Sequence, residues 1–147
     1  MQDCYTSVFF SIVKETQDRH GYDLPFDIEV YVTMLLASHV DKPDFLPKNT
    51  FAESYLKLQY PYGSKAKTLG DICLFTTGVF PEYGSAKGLS NDYFVNIGQS
   101  SYDLARDLLN DELFLDLRNH FVFLKDFITV CIRDQDRIDI SRYFGNH

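Results

Sequence analysis

The chain has no tryptophan, two methionines and only three cysteines in 147 residues. Cys4, Cys73 and Cys131 are far apart and form no CxxC pair. An odd, scattered set of thiols argues against both a disulfide framework and a zinc site. Cys73 and Cys131 lie in apolar surroundings and read as small core hydrophobes kept reduced, which predicts a cytoplasmic protein. The opening MQDCYTSVFF has no basic n-region and no cleavage pattern, so no signal peptide is expected. No apolar run reaches the ~18–20 residues that span a bilayer.

Positive charge is the scarcer sign. Fourteen Lys and Arg stand against 21 Asp and Glu, for a net charge of −7. Nucleic acid is therefore not an expected partner, because nonspecific affinity comes from cations neutralising phosphates. An anionic membrane surface is disfavoured for the same reason. Period-two alternation with hairpin turns is missing, which argues against strands. Internal repeats and low-complexity tracts are also missing.

Catalytic and cofactor motifs are absent too. No HExxH is present, and no Glu-x-x-His pair of the di-iron bundle type. GQSSY around Ser100 and Ser101 is not a GxSxG elbow, and Cys73 has no recognisable partner. Gly63-Ser64-Lys65 lacks the upstream glycine of a phosphate loop. Asp116 and His120 share a helix face but read as a surface pair rather than metal ligands. His39 sits on an apolar stripe and reads as a partly buried histidine with one hydrogen bond. No cofactor and no metal are expected.

What the chain does have is rings, 13 Phe and 10 Tyr, and a helical rhythm almost throughout. A chain of this length buries roughly 68–70% of its unfolded surface and folds without disulfides or metal. Tyr5, Val8, Phe9, Ile12 and Val13 define a first helix that ends at His20-Gly21. A second starts near Pro25 and carries Ile28, Tyr31, Val32, Leu35, Leu36 and His39. A third opens on a Thr50–Glu53 capping box and stops before Pro61. A fifth begins at Ser90 as N-cap, a sixth runs from Phe114 to Cys131, and IDISRYFG adds a last turn. The expected fold is all-α: one helical domain over residues 1–147, a compact bundle of five to six helices around a central apolar helix at about residues 66–80.

That central, fourth helix poses the main question, because one acid, Asp71, stands at its head directly after Gly70. Two structural readings are open. In the first, Thr68 and Asp71 form a capping box. In the second, the helix extends back to Ser64 through Lys65 and Lys67, and Asp71 is a buried acid that needs a donor such as the hydroxyl of Tyr93 or Tyr102. A third reading makes Asp71, Tyr93 and Tyr102 a ligand site. Gly70, Gly78 and Gly98 are expected to let neighbouring helices close in, with Gly98 meeting the fourth helix near Gly78.

The segments GDICLFTTGVFPE and YFVNIGQSSY resemble a pattern, GDxxLFxxGxFPE then YxxxxGxxxY, found in small bacterial proteins of unassigned function. The matching positions are Gly70, Asp71, Leu74, Phe75, Gly78, Phe80, Pro81, Glu82, Tyr93, Gly98 and Tyr102, in about a quarter of the chain. The resemblance implies a soluble bacterial protein and brings no catalytic residue with it.

The clearest surface feature is an acidic ridge, Asp103, Asp107 and Asp111, repeating every four residues. It reads as a solvated face or as a docking surface for a basic partner. The expected function is a non-enzymatic interaction or binding module, possible as a homodimer, that engages a protein partner or itself. The alternative is a small-molecule binder or enzyme with its pocket at Asp71, Tyr93 and Tyr102.

Overall fold

The computed structural model describes residues 2–39, 63–86 and 88–134, and among these it is all-α, with seven helices and no strand. They are α1 (Gln2–His20), α2 (Phe26–Ser38), α3 (Gly63–Val79), α4 (Tyr83–Ala86), α5 (Asn91–Leu109), α6 (Leu113–Asn119) and α7 (Phe121–Arg133). The expected third helix with its Thr50–Glu53 box, and the IDISRYFG turn, lie outside the described residues. Contacts group the chain into two units, Met1–Phe45 with Ile128–His147, and Leu46–Phe127. Helix α7 begins in the second and ends in the first.

In the first unit, α1 buries Phe9, Ile12, Val13, Thr16 and Gln17, spaced by three and four along one stripe. Gly21 ends it with φ 71°, and the Tyr22 N–H donates to the Gln17 carbonyl at 2.9 Å, the long bond of a Schellman turn. Pro25 precedes α2 and offers no side-chain cap, but Asp27 Oδ1 accepts from the Ile28 N–H of the first turn at 2.9 Å. Helix α2 buries Ile28, Val32, Leu35 and Leu36, and with them the carboxylate of Glu29.

In the second unit, α3 and α5 are the principal pair. Helix α3 is buried on most sides, with Ala66, Leu69, Cys73, Leu74, Phe75, Thr76 and Thr77 all inside. Ser90 caps α5, its hydroxyl accepting from the Tyr93 N–H at 3.4 Å. Asn110 ends α5 with φ 53°, a left-handed conformation that asparagine tolerates.

Two departures from the expected helix count have local causes. Tyr83–Ala86 forms a single extra turn after Pro81. The expected sixth helix is broken at His120, whose φ of −104° closes α6 before α7 begins. Just before the break, the Gln99 side chain of α5 donates to the Arg118 carbonyl at 3.2 Å, and the His120 N–H turns back to the same carbonyl.

Candidate functional site

The connection between α1 and α2 is pinned by one side chain. Gln17 accepts from the Leu24 N–H through its amide oxygen at 2.8 Å and donates through its amide nitrogen to Glu29 Oε2 at 2.5 Å. Lys14 Nζ lies 3.3 Å from the same Oε2, so both contacts to this carboxylate fall on one of its oxygens. Glu29 is only 3% exposed and Gln17 only 5%.

Above this pair opens a groove of about 540 Å³. Its polar wall is Lys14, Gln17, Asp18, Asp23 and Glu29, three carboxylates against one ammonium. Its apolar wall is Tyr22, Leu24, Pro25 and Phe26. Phe26 is 72% exposed, an unusual position for a phenylalanine, and Tyr22 is 37% exposed and stacks on His20. Lys14 is half exposed and also lies over the Phe10 ring, 5.7 Å from its centroid. No described lining residue is a serine, threonine, cysteine or histidine. Its charged and apolar walls suit the arrangement to binding a charged group.

No sequence motif marks this groove. The signal was present: Glu29 lies three and four residues before Val32 and Thr33, on the buried stripe of α2. Gln17 likewise follows Val13 by four on α1. A carboxylate and an amide at apolar-stripe positions on consecutive helices mark a place where each needs the other.

Asp71 is resolved differently from a cap. Helix α3 starts at Gly63, and Thr68 lies inside it with its hydroxyl donating to the Ser64 carbonyl at 2.8 Å. The capping-box reading therefore gives way to the buried acid. Asp71 is 7% exposed, and Tyr102 donates its hydroxyl to Oδ1 at 2.7 Å. Lys67 Nζ sits 2.8 Å from Oδ2, one helical turn back. Tyr102 is fully buried, with its ring near those of Phe114 and Phe121. Tyr93 is half-buried and packs edge-on against Phe94.

The glycines make this packing feasible. A Cβ on Gly70 would stand 2.6 Å from Tyr102 ring carbons. A Cβ on Gly98 would collide with the Phe121 ring and stand 3.0 Å from Cys73 Cβ, its nearest atom on α3. Gly78 is buried in α3.

The acidic ridge is engaged by its own neighbourhood. Asp103 lies 3.4 Å from Arg118 Nε, Asp107 lies 3.0 Å from an Arg106 nitrogen, and Asp111 accepts from the Leu113 N–H at 3.0 Å. His39 ends α2 half-buried, with Nδ1 2.8 Å from the Leu35 carbonyl. Asp116 and His120 are both exposed, and among the described residues no three His, Cys, Asp or Glu side chains gather as metal ligands would. The thiols of Cys73 and Cys131 are free and buried; burial pushes Cys73 far up, and burial, aided by the Asp134 charge and partly offset by a hydrogen bond with Thr16, pushes Cys131 up to about 12.

No protein-family model matches this chain, and no curated protein or solved structure matches it. A functional reading therefore rests on the geometry of these side chains. Among the described residues no helix is long and apolar enough to cross a membrane.

Proposed function

We propose that this protein is a non-enzymatic binding module of the reduced cytoplasm, and that its ligand occupies the groove between α1 and α2. The observation that carries this reading is Glu29, a carboxylate 3% exposed yet lining an open groove. Burying a carboxylate is costly unless donors compensate. Here Gln17 and Lys14 supply them on Oε2. A few convergent polar groups beside an apolar wall are the usual make-up of a ligand site. The free, buried thiols support the compartment.

The Asp71, Tyr93 and Tyr102 region supports an architectural role instead. Both oxygens of Asp71 hold protein donors, and Tyr102 has no exposed surface.

The test is native mass spectrometry of the protein purified from its own host, followed by amide chemical-shift mapping with whatever molecule is retained. Shifts confined to Gln17 and residues 22–29 are expected. Shifts centred on Asp71, Tyr93 and Tyr102 would overturn the assignment in favour of the second region.

A further inference from the structure

Resting on the groove assignment above, we infer that the ligand group it receives is an organic cation: a primary ammonium or guanidinium on an apolar stem. The charge balance of the walls gives the sign. Asp18 and Asp23 stand at the exposed rim and Glu29 at the buried end, with Lys14 the one cation among the described lining residues. An anionic ligand would have to approach three carboxylates. A neutral ligand would leave the buried charge no better compensated than before.

The shape of the site supports the same sign. Tyr22 and Phe26 present ring surface at the mouth, and ring faces attract cations. Leu24 and Pro25 offer apolar surface between them for a hydrocarbon stem. Glu29 Oε2 is already held by Gln17 and Lys14, whereas Oε1 takes part in neither contact. An incoming N–H donor therefore meets Oε1 in a carboxylate that Gln17 has already oriented.

Lys14 acts as the resident competitor. Its side chain is 51% exposed, so it leaves Glu29 for solvent at little cost when another cation arrives. Two sources share this chemistry, a free amine and the basic side chain of a peptide, and different probes separate them.

The experiment is titration of the full chain, followed by amide chemical shifts, with four probes. They are n-pentylammonium, N-acetyl-lysine N-methylamide, its neutral norleucine counterpart, and pentanoate. The two cations should shift Gln17 and residues 22–29, with affinity falling as salt rises. Tighter binding of the blocked lysine points to a peptide side chain, and tighter binding of pentylammonium points to a free amine. Glu29→Gln should weaken the cations roughly tenfold or more, as expected for loss of a charge-assisted bond. Lys14→Met should tighten them a few-fold, an effect that a merely structural Lys14–Glu29 pair would not produce. Should Glu29→Gln fail to fold, the surface variant Asp18→Asn/Asp23→Asn must weaken the cations and flatten their salt dependence. Equal binding of the norleucine or pentanoate probe in the groove would overturn the inference while leaving the groove as a binding site. If no probe shifts the groove, the inference falls, and the host-retained ligand then decides the groove separately.

Discussion

The Tyr102 hydroxyl donates to Asp71 Oδ1 at 2.7 Å, and the ring that carries it lies where a Cβ on Gly70 would be. Glycine and acid are consecutive on α3 because the two needs are one. Gly70 clears space for an aromatic ring from α5, and Asp71 receives the hydroxyl at the end of that ring. A buried carboxylate and a buried phenol thus satisfy each other.

Gly70→Ala should destabilise the protein even though alanine is the better helix former. The helix preference returns about 1 kcal/mol, whereas forcing a methyl against the Tyr102 ring costs about 1–3 kcal/mol. Urea unfolding of Gly70→Ala, Tyr102→Leu and the double variant checks this. The double variant should be less unstable than the sum of the singles, because removing the ring removes the clash.

Asp71→Asn should cost about 1–3 kcal/mol, more than loss of a surface cap. The asparagine oxygen still accepts from Tyr102, but its amide group meets the Lys67 ammonium donor to donor. Tyr102→Phe should cost a similar amount by leaving Oδ1 without its phenolic donor. Equilibrium denaturation of both variants measures the network from its two ends, and a loss within experimental error for both would show that Asp71 is a solvated group.

Helix type and most helix ends were legible in the sequence, because periodicity and end signals are local. Gly21 and Ser90 end and start their helices where their chemistry says. The choice of Tyr102 over Tyr93 for Asp71 was not legible, since both tyrosines precede or follow Gly98 on one helix and the rotation of α5 against α3 decides. The break at His120 was hidden for a related reason. Its apolar rhythm continues unbroken from Phe114 to Cys131, while the Gln99 side chain that takes the Arg118 carbonyl comes from another helix. The Glu29–Gln17 pair was legible in principle. Each residue occupies a buried-stripe position, but a pairing across twelve residues shows only when two stripes are read together.

Cys73 and Cys131 should resist thiol reagents in the native state. Desolvation disfavours the thiolate, which is the reacting form, and raises both thiols well above their usual value. Site-resolved mass spectrometry after brief alkylation at pH 8 should find both unmodified, and both fully modified in denaturant. Rapid native labelling of either would mean that its surroundings open on that timescale.

Acid should weaken the junction between the end of α1 and the end of α7. Asp134 Oδ2 lies 2.6 Å from His20 Nε2 and 3.4 Å from Arg19, and the His20 hydrogen bond, with these positive neighbours, holds its carboxyl below the usual carboxylate range. A depressed folded value means that the native state binds its proton later than the unfolded chain does. The resulting stabilisation is present above the usual value near 3.8 and is lost as pH falls through the lower folded value. The melting temperature of Asp134→Asn should therefore lie below that of the parent at pH 6, with the gap narrowing as pH falls toward 3. A gap that stays constant across this window would mean that Asp134 stabilises the junction by packing and neutral hydrogen bonding, with no contribution from its charge.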